Sequence, residues 1–420
     1  MIFLSLAWKS LRSRLFSTSL TVLSIALSVA LLLTVERAQR SSREGFMSAI
    51  SKTDLIVGGR TGPTQLLLFS VFNVGNATHN ISWDSYQHWA KHPAVEWTIP
   101  YSLGDSHRVF RVVATNEDFF THYRFRGDRA PEFAGGLPFA DLWEVVVGSE
   151  VARRLSYRTG DSITLSHGAT KGESFQEHGD KPFRISGILK PTGTPIDQSV
   201  YISLPAMEAI HLDWKTGAAP TEKTRISPDR IKAEDLKIET ITAFFLRTKS
   251  RIETLRLQRE INVYPEEPLL AIVPGAALQD LWRVLGYAER VLGLVSVLVL
   301  VVGFSAMLIA LVTTLNERRR EMAILRSLGA GQSRIAGLLV FEAGLLTAFG
   351  TAIGVAVNVA VFAWLAPWLE NEFGLYLVGA VFVPKELALI AIVLIGGLAA
   401  GLVPALKARR QALKDGLTGL

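Results

Sequence analysis

Hydrophobic and polar positions follow two different patterns along this chain. Four stretches stay apolar for about 20 residues or more, the length a helix needs to cross a bilayer. They are Leu15 to Val35, Val291 to Leu315, roughly Gly337 to Phe362, and Leu387 to Leu406. From Glu36 to Leu285 the pattern changes: charge is mixed, turn residues recur and apolar runs are short and alternating, as in a folded domain that meets water. The expected fold is an α-helical membrane protein with four transmembrane helices. A large α+β extracytoplasmic domain is inserted between the first and second.

Shorter patterns predict elements inside the insert. "DLIVGG" reads as a strand ending in a glycine turn. "WEVVVGSEVARRLSYRTGDSITLS" reads as strand, short helix, turn and strand, with Ser149 as N-cap and Thr159-Gly160-Asp161 as the turn. "FRISGIL" and "SVYISL" are strands joined by the loop "KPTGTPIDQ", a surface available to an outer partner, and "ITAFFLRTKS" is another strand. Ser250 and Glu253 have capping-box spacing at the start of the helix "SRIETLRLQREI". Helical stalks are expected at both ends of the insert. "ERAQRSSREGFMSAI" follows span one, and a helix from about Ala276 through Trp282 runs into span two with only Gly286 to interrupt it. Such continuity would pass motion of a span rigidly outward.

These readings divide the chain into an amphipathic interfacial helix at 1–14, TM1 at 15–35, the outside domain with its stalks at 36–287 and TM2 at 288–315. A cytoplasmic loop follows at 316–334, then TM3 at 335–365, a short outer loop at 366–386, TM4 at 387–406 and a cytoplasmic tail at 407–420. In the first segment Leu4, Trp8, Leu11 and Leu15 fall at helical spacing among Ser5, Lys9 and Arg12, which suits a helix lying among lipid headgroups.

Charge orients the spans, because short loops rich in Lys and Arg stay in the cytoplasm. Lys9, Arg12 and Arg14 precede the first span; Arg318, Arg319, Arg320, Arg326 and Arg334 lie between the second and third; Lys407, Arg409, Arg410 and Lys414 follow the fourth. The loop from Pro367 to Glu386 sets Lys385 against Glu370, Glu372 and Glu386. Both termini are therefore expected inside and the large domain outside. The net charge of +6 is accounted for by these flanks and needs no nucleic-acid partner. Leu15 to Val35 is longer than a signal-peptide core and is read as an uncleaved anchor. With no cysteine, the outside domain has no disulfides and must rest on its core, which its size allows.

Candidate chemistry is sparse. The sequence contains no G-x-x-x-x-G-K-[ST], H-E-x-x-H or G-x-S-x-G pattern, so a non-catalytic subunit without a cofactor of its own is expected. All eight histidines lie in the insert, and His88 and His92 have the i,i+4 spacing of a metal pair. No carboxylate sits at a matching position and Pro93 ends the helix, so the default expectation is no metal. Gly350 and Gly354 in span three, and Gly397 and Gly401 in span four, have the small-residue spacing of closely packed helices. Glu342, near the inner end of span three, is read as structural.

The segment "NERRREMAILRSLGAGQSR" is more informative. Met322, Leu325 and Leu328 fall at i, i+3 and i+6, and Gly329 follows as a helix stop. Glu317, Arg318, Arg319, Arg320, Glu321 and Arg326 surround that stripe with charges of both signs. An apolar knob with a charged rim suits a groove on a partner protein better than a lipid surface.

This segment resembles the cytoplasmic loop of MacB/FtsX-type ABC transporter permeases, where E-R-x-R-E-x-x-I-x-x-x-x-G-A recurs. "AWKSLRSRLFSTSLTVLSIALSVALLL", "VVGSEVARRLSYRTGDSITL" and "VPALKARRQALKDGL" resemble that family's opening, extracytoplasmic core and closing segments. The part from His107 to Gly136 matches no recognisable motif of it. The resemblance implies a mechanotransmission (type VII) permease of the LolC/LolE kind, working as a homo- or heterodimer. Residues 317–329 would be the coupling helix that seats on a separate ATPase dimer carrying ATP and Mg. It also implies a MacB-like periplasmic core domain, an inner-membrane location, contact with membrane lipids and a possible periplasmic or outer-membrane partner. The implied cargo is a lipoprotein, a peptide or a hydrophobic molecule. The alternatives are FtsX-like activation of an envelope enzyme and, carried by the histidines, metal handling in the envelope.

Overall fold

The computed structural model describes residues 12, 14–166, 178–213, 226–317, 330–373, 377 and 382–417. In chain order the elements begin with α1 (Leu15–Met47), β1 (Leu55–Gly59), α2 (Pro63–Val71), β2 (Ile81–Ser82), α3 (Trp83–Ala90), β3 (Val95–His107) and β4 (Phe110–Thr115). Next come α4 (Asp118–His122), β5 (Phe133–Gly136), β6 (Glu144–Val147), α5 (Ser149–Leu155), β7 (Ser162–Ile163), β8 (Phe183–Leu189), β9 (Ser199–Ser203) and α6 (Leu204–His211). The chain continues with β10 (Thr240–Ile241), β11 (Ala243–Thr248), α7 (Arg251–Asn262), β12 (Leu269–Ile272), α8 (Pro274–Glu317), α9 (Gln332–Phe373) and α10 (Pro384–Leu417). Contacts divide the chain into two compact units. One comprises Met1–Ser41, Gly286–Pro367 and Leu377–Leu420; the other comprises Ser42–Leu285 with Trp368–Tyr376.

The first unit is helical. Among the described residues, four of its helices contain segments long and apolar enough to cross a membrane: Leu15–Met47, Glu289–Thr313, Gln332–Glu372 and Pro384–Lys407. Their inward residues, among them Ile25, Leu33, Met307, Ala343, Leu346 and Val393, form one core. Their outward residues are also apolar: Phe16 is 83% exposed, Leu27 69%, Val302 67% and Ile395 66%. A helix apolar on every side requires a hydrocarbon solvent on its outer face.

The second unit is α+β. Its main sheet runs β12-β1-β11-β3-β4-β9-β6-β8-β5, with β7 on β8, and β10 pairs separately with β2. β4–β9 and β6–β8 are parallel, and the other pairings are antiparallel. The central strands "LIVGG" and "EVVV" are buried at every position, as strands covered on both faces must be. Two apolar clusters form, one around Val57, Val112, Phe183 and Phe244 and another around Ile56, Phe69, Tyr201 and Phe245. Residues that alternate along β1 and β11 fall into different clusters, because successive strand side chains point to opposite faces.

Most predicted elements are present, and several details differ. Gly148, not Ser149, caps α5. A Cβ at Gly148 would lie 2.4 Å from the carbonyl oxygens of Ile196 and Asp197, so only glycine fits there; the Ser149 hydroxyl instead bonds the Asp197 carboxylate. Ser250 does occupy the N-cap of α7, but its side chain makes no capping bond. The nearby Thr248 hydroxyl bonds the Ser250 carbonyl instead. The outer loop expected at 366–386 is shorter, since α9 continues to Phe373 and α10 begins at Pro384. Hydropathy ends the apolar run at the acidic "LENEF", whereas helical backbone tolerates Leu and Glu well. The α+β unit also takes in Trp368–Tyr376, and Arg129 Nη1 lies 2.8 Å from Glu370 Oε1.

Candidate functional site

The coupling residues read from the sequence fall mostly outside the described residues. Glu317 is the last residue of α8; Arg318, Arg319, Arg320, Glu321, Met322, Leu325, Arg326, Leu328 and Gly329 lie beyond it in the undescribed stretch. The interfacial helix at 1–14 lies largely outside them too.

The four packing glycines are placed where helices meet. A Cβ at Gly350 would lie 2.7 Å from the Ile25 side chain, and one at Gly354 would lie 2.6 Å from the Ala26 carbonyl. At Gly397 it would meet Thr347 Oγ1 at 2.1 Å, and at Gly401 the Ala343 Cβ at 2.6 Å. Span three thus rests on span one, and span four on span three, through positions without a side chain. In the same unit Arg37 and Glu386 are fully buried together, with Nε–Oε1 at 3.3 Å and Nη2–Oε2 at 3.2 Å. Arg40 adds a 3.5 Å contact to Glu386, and the Arg37 guanidinium lies over the rings of Phe362 and Phe382. This paired, ring-covered charge was not legible from the sequence.

The α+β unit holds a second buried polar cluster, which local backbone features assemble. β3 and β4 pair Leu103 with Val113 but Ser106 with Arg111. The extra residue is a bulge, and a bulge re-aims side chains; Asp105, Ser106 and His107 are consecutively buried. Gly104 packs on α6: its missing Cβ would lie 3.1 Å from Met207 Sδ. α6 starts firmly, since the Ser203 hydroxyl accepts from Ala206 N and Pro205 sits in the first turn. It ends at His211, whose Nε2 is 3.4 Å from Asp105 Oδ1.

The third member of that cluster arrives on a turn. His178 Nε2 lies 3.3 Å from Asp105 Oδ2, and both side chains are essentially inaccessible. The turn is tied down on both sides. His178 N donates to Leu165 O and Lys181 N to His178 O, while Lys181 Nζ pairs with Asp213 and donates to Ile210 O, one residue before His211. The two imidazole rings stand nearly perpendicular, 5.5 Å apart. Burial alone would raise the Asp105 pKa, but hydrogen bonds from His178 and His211 and their charges hold it down to about 2. Burial works against a charged His211, and the bond and charge of Asp105 outweigh it and raise its pKa. Among the described residues this is the cluster whose ligand atoms could share one metal ion, all lying within 4.8 Å of one another.

The histidines singled out from the sequence lie elsewhere. His88 is on the exposed side of α3, stacked on Tyr264. His92 lies beyond the helix, accepts from Ala94 N and faces Glu260 at 3.7 Å. His107 is two residues from Asp105, but its Nδ1 is bonded to Thr164 O and its Nε2 to Tyr157 OH. The loop "KPTGTPIDQ" is ordered by its own buried acid: Asp197 accepts from Thr192 N, Thr192 Oγ1 and Gly193 N. It borders a pocket of 460 Å³ with Ser149, Arg153 and Glu372.

Four membrane-length helices with a folded α+β domain between the first and second define a multi-span membrane protein of the inserted-domain kind. The "MacB-like periplasmic core domain" profile matches residues 18–260, and the "FtsX-like permease C-terminal" profile matches 293–414. The chain belongs to the MacB/FtsX-type family of ABC transporter permeases. A curated relative, the macrolide export ATP-binding/permease protein MacB of Nitrosomonas europaea, is 22% identical over 225 residues. That match takes in 51% of this chain and 32% of the relative, so the chain spans about a third of the relative's length. Two solved structures are more distant. The periplasmic region of MacB from Actinobacillus actinomycetemcomitans gives a TM-score of 0.35 at 9% identity, covering 56% of this chain and 94% of that one. The extracellular domain of the transporter YknZ from Gram-positive bacteria gives 0.30 at 8%, covering 52% and 99%. Four apolar helices with a MacB-like periplasmic domain fit a protein of the inner membrane. The two matched profiles describe a permease-type family.

Proposed function

We propose that this chain is the permease subunit of an ABC transporter that converts ATP binding and hydrolysis by a separate ATPase into movement of its periplasmic domain. That movement drives extraction or export of a lipoprotein, a peptide or a hydrophobic substrate. ATP and Mg belong to the partner ATPase; a second permease copy completes the membrane part. Both termini face the cytoplasm, as the basic flanks require.

The observation that carries this reading is α8. It is a single helix of 44 residues, Pro274–Glu317, whose only proline is its first residue. It starts two residues after β12 and ends at the first acidic residue of the predicted coupling segment. A helix without a breaker transmits displacement along its axis instead of absorbing it. The apolar stripe of Met322, Leu325 and Leu328 then supplies the surface on which the ATPase pushes. The macrolide-export name of the Nitrosomonas relative supports a hydrophobic cargo.

The test is co-purification. Met322→Asp or Leu325→Asp should abolish recovery of the ATPase with the membrane-inserted permease, and normal recovery in both variants would sink the coupling assignment. Crosslinking from the periplasmic domain decides the cargo. Capture of a lipid, lipoprotein or small molecule supports transport, whereas capture of an envelope hydrolase alone supports the signalling alternative.

A further inference from the structure

We propose that Asp105, His178 and His211 form a binding site for a divalent first-row transition cation of the zinc class, with one carboxylate ligand, two imidazole ligands and a position open to water. The inference is independent of the transport reading, and its test measures metal occupancy.

Distances carry the first part of the argument. Zinc binds imidazole nitrogen and carboxylate oxygen at about 2.0–2.2 Å in tetrahedral geometry, which sets neighbouring ligand atoms about 3.3–3.5 Å apart. The separations from Asp105 oxygens are 3.3 Å to His178 Nε2 and 3.4 Å to His211 Nε2. The two imidazoles face different oxygens of the carboxylate, and one ligand atom from each of the three residues lies within 4.8 Å of the others, close enough to converge on one ion.

The tautomer carries the second part. His211 Nδ1 lies 2.8 Å from the Met207 carbonyl oxygen; a carbonyl can only accept, so Nδ1 bears the proton. In the neutral ring this turns the Nε2 lone pair toward Asp105. Metal-bound histidines characteristically donate their other ring N–H to a backbone carbonyl, which fixes ring orientation and ligand basicity.

The third part is support. β3 holds Asp105 through its bulge and α6 holds His211. The Lys181–Asp213 pair and the Lys181–Ile210 bond fasten the His178 turn to the end of α6. Two imidazoles and one carboxylate, without any cysteine in the chain, favour zinc-class divalent ions over thiolate-seeking Cu(I). His211 is 30% exposed while the other two ligands are sealed, so the site has one accessible side for ion entry.

The experiment uses the full-length protein purified in detergent and stripped with EDTA. Dialysis against Zn²⁺ followed by elemental analysis should return one zinc per chain. Competition with a chromophoric chelator should show affinity reduced about 100-fold or more in Asp105→Asn and in His211→Gln. Loading with Co²⁺ should produce the intense visible absorption of a tetrahedral site in the unchanged protein and not in those variants. The double variant His88→Ala/His92→Ala should bind as the unchanged protein does. Should Asp105→Asn fail to fold by circular dichroism, His211→Gln, at the accessible edge, decides alone. Substoichiometric zinc, or affinity unchanged in His211→Gln, would overturn the proposal and leave the cluster as a protonated ion pair.

Discussion

In the helical unit Glu386 is fully buried against the guanidinium of Arg37, with Arg40 close by. In the α+β unit Asp105 is 2% exposed and faces two imidazoles. Both units therefore bury a carboxylate, and they compensate it with different chemistry. A guanidinium is permanently charged and matches a carboxylate in a bidentate fork, so the Arg37–Glu386 pair is a fixed link between span one and the start of span four. Imidazole changes state near neutrality and ligates metals when neutral, so the same carboxylate beside two histidines becomes a site that can take up a cation. The surroundings explain the choice. A charge buried among apolar helices is tolerated only when it is paired, whereas the bulged strand of a water-exposed domain can leave one side of its cluster accessible.

The largest effect that would break this comparison concerns the fixed pair. Replacing Arg37 by Ala should destabilise the protein in detergent by about 3–5 kcal/mol, because Glu386 is left buried without its principal countercharge. The double change Arg37→Met/Glu386→Leu should recover most of that loss. Thermal unfolding measures both; an Arg37→Ala variant as stable as the parent would show the pair to be incidental.

A smaller effect is expected where backbone contact, not charge, joins the same helices. Gly354→Val would push its Cβ against the Ala26 carbonyl and the Val29 side chain. It should cost about 1–3 kcal/mol by overpacking, visible as a lowered unfolding temperature. Gly337→Ala should not, since a Cβ there meets nothing within 4 Å.

The smallest effect sharpens the contrast from the other side. His92 contacts Glu260 at 3.7 Å on a partly exposed surface. His92→Ala should therefore change stability by no more than about 0.5 kcal/mol. A larger loss in a denaturant titration would mean that this imidazole, and not the buried cluster, carries structural weight.

Much of the architecture was legible from local pattern. The membrane-length runs, the strand "DLIVGG", the order strand-helix-turn-strand after Trp143 and the helix running into span two all recur in the structure. Capping was read less well. Ser149 and Ser250 are the right residue type near helix starts, yet one hydroxyl serves Asp197 and the other makes no cap bond. Those outcomes depend on neighbours distant in sequence. The histidine pair chosen from i,i+4 spacing faces Tyr264 and Glu260, while the cluster with metal-like distances joins residues from a strand, a turn and a helix end.

The amino-acid sequence by itself determined which segments are long and apolar enough for lipid, that a folded α+β insert lies between the first and second of them, and which loops carry the basic charge. These properties are local: hydropathy, periodicities of 3.6 and 2, and charge density can be read from neighbours along the chain. Tertiary structure alone decided which charges meet. Arg37 and Glu386 are 349 residues apart, and Asp105 reaches its two histidines only because a bulge, a glycine contact with α6 and the Lys181 link bring three separate segments together. Neither pairing leaves a periodic trace, because the distances involved are set by helix packing and sheet register.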